Sequence, residues 1–319
     1  MTVIVVGSAN QDYLVQLSQA PALGETVLAG GLRKQPGGKG ANQAVAAARA
    51  GADVSFVGCV GDDDDGALLL RQLRSEGVDT TDVEVVGNEP TGLALVYVFA
   101  NGDNSIAVVP GANSAIPAFR AARAVRRLAD ASSVVVTQGE ISRDVIEATI
   151  RAADEVGARP VLNLAPMREI RPEVLALCNP LIVNETEASA LLRVQVGDVD
   201  SARRAAATLA MAAKSVVITI GAGGAVWADR DASGHVPAPR VETVVDSTGA
   251  GDAFVGSLAT VLSEGGSLGH AVAIGVRAGS FAVARLGAQS SYPMRDDIDA
   301  FRDAGPYRTG SASGNAARQ

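Results

Sequence analysis

Aromatic residues are scarce in this 319-residue chain, at 3% of the total against 47% for hydrophobic residues as a class. Ala, Val, Leu and Ile must therefore fill the core. Cysteine is nearly absent. Cys59 and Cys178 stand far apart with no metal-like spacing, which suits a reducing compartment. Only two histidines occur, His235 and His270, and neither lies near a Ser or Cys in a hydrolase motif, which argues against histidine-based acyl transfer. No apolar run approaches the length of a membrane span. The first residues enter a strand-like run and lack the basic segment and cleavage site of a signal peptide, so a cytoplasmic protein that does not enter a membrane is expected. Basic residues are outnumbered, 27 Lys and Arg against 35 Asp and Glu, for a formal net charge of −8. A duplex-binding protein would need a basic face, so nucleic acid is not expected as a partner. Any anion would have to be attracted locally, by helix N-termini, a few cations or a bound metal.

What is present is a regular alternation. Apolar, β-branched runs at 2–7, 53–58, 133–137, 160–164, 181–183 and 215–220 read as buried strands. Between them, 39–50, 67–76, 143–156, 185–193 and 201–213 read as helices, several stopping at glycine. This order implies a mainly parallel sheet with helices on both faces and ligands beyond the carboxyl ends of the strands. Two stretches, 12–34 and 82–109, break the pattern and read as short antiparallel strands, the second with a hairpin turn at Asn101-Gly102-Asp103. Inserted strands of this kind suit a lid. Beyond about Ala304 the chain is rich in Gly, Ser, Ala and Asn and reads as disordered.

Five stretches and one separate carboxylate carry candidate chemistry. In Asp246-Ser-Thr-Gly249-Ala250-Gly251-Asp252, glycines precede an apolar helix, so backbone N–H groups can converge on an anion. Asp252 in the first turn could accept a proton from an attacking hydroxyl, although Asp also favours helix N-termini for capping alone. Pro36-Gly-Gly38-Lys39-Gly-Ala-Asn42 opens another helix and is not a phosphate-binding P-loop. A lysine there opposes the helix dipole, so carboxylates or a hydroxyl-rich ligand must compensate. Asn10 and Asp12 alternate on one side of an extended chain and could hold adjacent sugar hydroxyls. Glu140 follows a strand at the expected ligand edge. Asn184-Glu-Thr-Glu187 is a good capping box that could also present Asn184 to phosphate or hydrated metal, and Thr219-Ile-Gly221-Ala222-Gly223-Gly224 is a glycine turn suited to a nucleotide or to a plain hairpin. The acidic run 62–65 lacks the ligand positions of a calcium loop and reads as a helix cap.

Together these stretches, with Arg285-Leu-Gly-Ala-Gln289, resemble the ribokinase, or phosphofructokinase-B, family of carbohydrate kinases over nearly the whole chain. The resemblance implies an α/β three-layer sandwich over 1–303, with a mainly parallel central sheet, a small β-sheet lid from 12–34 and 82–109, and a disordered tail at 304–319. It implies an enzyme that transfers the ATP γ-phosphoryl to a free sugar. D-Ribose, giving D-ribose 5-phosphate, is the first expectation; fructose, 2-deoxyribose or a nucleoside stays open, and a non-catalytic binding protein fits less well because Asp252 and its glycines are kept. Carried over by position, Asn10, Asp12, Gly38, Lys39, Asn42 and Glu140 would contact the sugar, with Asp252 as base. Gly249, Ala250 and Gly251 would form the anion hole. Asn184, Thr219, Gly221, Ala222, Gly223, Gly224 and Gly251 would line the site for MgATP. Asp246, Thr248, Ala282, Arg285, Gly287 and Ser291 would surround a potassium ion. A homodimer through the lids is also implied, where Leu93, Leu95, Tyr97 and Phe99 alternate on one face. Val276 replaces a polar residue often found near the adenine.

Overall fold

The computed structural model describes residues 1–99 and 104–301. The expected turn at 101–103 and the expected disordered tail lie outside the described residues.

In chain order the strands are β1 (Thr2–Val6), β2 (Asn10–Leu17), β3 (Gly31–Gly37), β4 (Asp53–Gly61), β5 (Asp79–Val86), β6 (Gly92–Phe99), β7 (Asn104–Val109), β8 (Val134–Gln138), β9 (Arg159–Asn163), β10 (Leu181–Asn184), β11 (Ser215–Thr219), β12 (Ala225–Asp229) and β13 (Ser233–Val236). The helices are α1 (Lys39–Arg49), α2 (Asp64–Ser75), α3 (Ala118–Leu128), α4 (Arg143–Glu155), α5 (Pro172–Leu175), α6 (Glu185–Leu192), α7 (Val199–Leu209), α8 (Ala250–Ser263), α9 (Leu268–Ala282) and α10 (Arg295–Ala300).

Nine strands form one sheet in the order β13-β12-β11-β10-β9-β8-β1-β4-β5, parallel from β11 to β5, with β12 and β13 antiparallel at one edge. Successive residues of β1 serve opposite faces. Val3 and Val5 join a core with α1, α2, α8 and α9, whereas Ile4 and Val6 join one with α3, α4, α6 and α7. The result is the expected three-layer sandwich. From β1 the chain runs to β4 on one side and later returns to β8 on the other. The crevice beyond the carboxyl ends of β1 and β8 is thus a topological switch point, the usual place for a ligand in such sheets.

A second sheet has the order β3-β2-β6-β7. It differs from the sequence reading in two ways. Its central pair, β2 and β6, is parallel. The first part of the 82–109 stretch is β5, which pairs in parallel with β4 in the large sheet. An edge strand is covered on one face only, so β5 alternates as an antiparallel insertion would. The helices expected at 67–76 and 201–213 start earlier, because Asp63 and Asp198 cap them through Gly66 N–H (2.7 Å) and Ser201 N–H (2.7 Å).

The shortage of large side chains has a local result where α1 crosses α8. Gly40, Ala41, Ala44, Val45, Ala46 and Ala47 of α1 are all buried. At Gly256 of α8 a Cβ atom would lie 2.5 Å from Ala46 Cβ, 2.6 Å from Gln43 O and 2.7 Å from Ala47 N. The two helices meet backbone to backbone. Cys59 and Cys178 are both buried free thiols, and among the described residues no helix is long and apolar enough to cross a membrane.

Candidate active site

The switch point is closed by hydrogen bonds between distant segments. Beyond β1, the Ser8 hydroxyl donates to Glu140 Oε2 (2.6 Å), and the Lys39 N–H, at the start of α1, donates to the same oxygen (3.0 Å). Glu140 therefore supplies the negative charge that the first turn of α1 requires. Gly40 lets that turn rest on β1, because a Cβ there would fall 2.6–2.7 Å from backbone atoms of Gly7 and Ser8. The Lys39 ammonium is held in its charged form chiefly by Asp252, against the effect of burial, with Glu140 and Glu187 adding to the attraction.

Asn10 and Asp12 lie at the start of β2, both buried. Asn113, in the turn Gly111–Ala115, donates from Nδ2 to Asn10 Oδ1 (2.8 Å). The Asn10 amide thereby keeps its N–H groups for a ligand. Asp12 has a buried Oδ1 with no hydrogen-bond partner. Burial, reinforced by Glu140 and Asp252, pushes its carboxyl from the ordinary 3.8 up to about 7.

Asp252 stands in the first turn of α8, 6% exposed. Asn42 Nδ2 donates to its Oδ2 (3.0 Å) and Gln43 Nε2 to its Oδ1 (2.9 Å). Asn42 is itself held by Gln289 Nε2 (3.0 Å). Gly249 caps the helix at φ 75°, in the left-handed region, and a Cβ there would lie 2.5 Å from Tyr292 Oη and 3.0 Å from Ala288 Cα. The N–H groups of Gly251 and Asp252 make no hydrogen bond among the described residues, as the first turn of a helix allows. Gly251 is exposed, with nothing within 4 Å of where its Cβ would stand. A carboxylate fixed at both oxygens beside open, unpaired amides can take a proton from a hydroxyl while an anion rests on the helix terminus.

Asn184 and Thr219 are register partners at the carboxyl ends of β10 and β11. Asn184 caps α6 in a full capping box with Glu187. The turn Gly221–Gly223 joins β11 to β12, and His235 Nε2 lies 2.8 Å from Gly223 O. These residues share the ligand edge, but no hydrogen bond joins them to the 249–252 turn among the described residues.

The 245–248 and 283–287 loops are stitched together. Val245 N–H donates to Val283 O (2.8 Å), and Gly287 N–H to Asp246 Oδ2 (2.9 Å), while Thr248 N–H reaches Asp246 Oδ1 (2.9 Å). Burial would raise the Asp246 carboxyl, but the bonds from Thr248 and Gly287 hold it below its ordinary value. Arg285 does not pair with Asp246; it stacks on Phe281, 3.4 Å from the ring centroid. The Ala282 carbonyl accepts the Arg285 N–H (3.0 Å), and Ser291 Oγ donates to Ala288 O (2.7 Å).

Gln43, Asn113, Gln138 and Asn163 organise the site without a role having been read for them in the sequence, and Gln289, noted there only as the end of the 285–289 stretch, joins them. Gln138 and Asn163 end β8 and β9. Polar residues at the carboxyl ends of otherwise apolar strands are the signal that would have found them.

The α/β fold, with a carboxylate at a helix N-terminus in the switch-point crevice, suits phosphoryl transfer to a hydroxyl. Residues 2–295 match the pfkB family carbohydrate kinases, and the chain belongs to that family. It is an ATP-dependent sugar kinase. It is 36% identical to ribokinase of Haemophilus influenzae over 297 residues, spanning 93% of this chain and 96% of that one. It is also 36% identical to deoxyribokinase of Salmonella typhi over 303 residues, spanning 94% and 98%. The solved structure of Arabidopsis thaliana ribokinase complexed with ribose and ATP matches with a TM-score of 0.86 at 32% identity, covering 94% of this chain and 97% of that chain.

Proposed function

We propose that this kinase transfers the γ-phosphoryl of ATP to the primary hydroxyl of D-ribose, giving D-ribose 5-phosphate, with Asp252 as the general base. The observation that carries the proposal is the Asp252 carboxylate, held by Asn42 and Gln43 beside the unpaired N–H groups of the α8 N-terminus. Asn10, Asp12, Lys39 and Asn42 would bind the sugar, with Gly38 giving the chain room to turn toward it. Glu140 would act mainly by fixing the start of α1. Asp252 takes the hydroxyl proton late, as the phosphoryl moves onto the oxygen, while the turn Gly249 to Gly251 stabilises the charge on the transferring group. Asn184 and the 219–224 turn would line the nucleotide. Mg²⁺ would come with the ATP phosphates and neutralise their developing charge.

A potassium ion fits the paired loops by the chemistry of its donors. The Thr248, Arg285 and Gly287 carbonyls accept no hydrogen bond among the described residues, and Asp246 adds a carboxylate. Oxygen dipoles of this kind suit a large, weakly hydrated cation. When bound, such an ion would supply fixed positive charge that steadies the turn carrying the anion hole.

A second reading, 2-deoxyribose, is favoured by the equal identity to a deoxyribokinase. A coupled ADP-release assay over ribose, 2-deoxyribose, fructose and nucleosides decides between them. The ribose proposal requires ribose to have the highest kcat/KM, because polar groups built to hold a 2-hydroxyl are left unpaired without it. Exposed Leu32 and Val109 lie on the same face of the smaller sheet as Leu93, Leu95 and Tyr97, and support its burial against a second copy. Light scattering should give a dimer. The two buried thiols accord with a cytoplasmic setting.

A further inference from the structure

We propose that Gln43 is a positioning residue for Asp252, acting as the centre of a buried amide relay whose direction is set by a backbone carbonyl of the central sheet. The proposal rests on the reading of Asp252 as the base.

Gln43 is fully buried, as is Gln138, and Asn163 is 8% exposed. Neither Gln43 nor Gln138 can reach a ligand. Their hydrogen bonds can be followed outward from Ile182 O in β10, which can only accept. Asn163 Nδ2 lies 3.4 Å from it, so Asn163 must turn its Oδ1 toward α1. That oxygen accepts from Gln43 Nε2 (3.0 Å), and the same nitrogen donates its second hydrogen to Asp252 Oδ1 (2.9 Å). Gln43 Oε1 then takes the bond offered by Gln138 Nε2 (2.8 Å). Both donors and the acceptor of the Gln43 amide are in use.

A flip of that amide would set Oε1 against two acceptors, Asn163 Oδ1 and Asp252 Oδ1, and Nε2 against the Gln138 donor. Three hydrogen bonds would become three repulsions among buried side chains. The amide therefore has one orientation, and the Asp252 carboxylate has one plane. Asn42 alone could not fix it, because one bond to Oδ2 leaves the group free to rotate about that contact. The angle at which the base meets the hydroxyl is thus dictated by β8, β9 and β10, not by the sugar.

Gln43→Met keeps the length of the side chain and removes its donors. Loss of alignment at the base should lower kcat by about 10²-fold while the KM values for sugar and ATP stay within about threefold. The distinguishing measurement is the same substitution in an Asp252→Asn background, with sugar and ATP binding checked by calorimetry. If Gln43 acts through Asp252, the residual rate of Asp252→Asn is not lowered further. A general structural role would lower both backgrounds by the same factor, and that result would overturn the proposal. So would a Gln43→Met rate within about twofold of wild type. A near wild-type rate for Asp252→Asn alone would instead remove the base, and the relay with it. Should Gln43→Met not accumulate as folded protein, Asn163→Leu takes its place: it cuts the link between Ile182 O and Gln43 that sets the direction of the relay, and an unchanged kcat there refutes the relay.

Discussion

Sugar binding should release a proton from Asp12. In the ligand-free protein this carboxyl lies at about 7 rather than 3.8, mainly because burial disfavours its charge, with repulsion from Glu140 and Asp252 adding to the effect. Its Oδ1 is buried without a partner. Sugar hydroxyls donating to that oxygen would favour the charged form, so binding and deprotonation assist each other. The sugar Kd should then tighten about tenfold per pH unit as pH rises toward 7 and level off above it. Complexation should release about 0.9 proton at pH 6, about 0.5 at pH 7 and about 0.1 at pH 8. Calorimetry in two buffers of different ionisation enthalpy counts these protons. Asp12→Asn should release none and bind sugar weakly at every pH.

The same shift acts on the free fold. Because the native state holds this proton more tightly than the unfolded chain does, the group costs nothing below 3.8. Its cost grows as pH rises and is complete above about 7, at about 4 kcal/mol. Asp12→Asn should therefore raise Tm near pH 8 and change it little near pH 4. A sugar Kd that is flat across this range, with no proton released, would refute the linkage.

Asp252→Asn should lower kcat by about 10²- to 10⁴-fold while sugar and ATP still bind, as single-turnover kinetics and calorimetry would show. Gly249→Ala forces a Cβ into the left-handed region and against Tyr292 and Ala288. It should cost about 2–4 kcal/mol in urea unfolding and lower kcat more than KM. Replacing tetramethylammonium with K⁺ at constant ionic strength and Mg²⁺ should raise kcat; equal rates would remove the cation from the mechanism.

The layered fold was legible because β1, β4 and β8 to β11 are buried on both faces and read as unbroken apolar runs. β5 escaped because a half-covered edge strand alternates. β12 and β13 escaped because they follow a glycine turn that a hairpin and a nucleotide loop would share. At the site, the residues in contiguous motifs could be named: Asn42, Asp246 and Asp252 all form the hydrogen bonds that draw the distant segments together. Gln43, standing beside Asn42 in the same stretch, could not be assigned, since its partners Gln138 and Asn163 come from strands about a hundred residues away. Each strand-end amide could be noticed alone, but a pairing set by sheet order leaves no local pattern. Asp12's shifted carboxyl was hidden for the same reason, because burial is a property of the packed layers.

The crossing of α1 over α8 bears on how such an enzyme can change over generations. Asn42 and Asp252, 210 residues apart in sequence, ride on two helices that meet at Gly256, where only Ala46 Cβ and the backbone of Gln43 and Ala47 face it and there is no room for even one added carbon. A mutation that shifts one helix therefore moves the other, and the spacing between Asn42 and the carboxylate proposed as the base is passed on nearly unaltered. Room for a new substrate cannot be made there. It has to come from β2, β3, β6 and β7, which form a separate sheet and reach the site through Asn10 and Asp12. Divergent sugar preference among proteins with similar sequences would follow from this division: the part proposed to perform transfer resists drift, and the part proposed to hold the acceptor is left to vary.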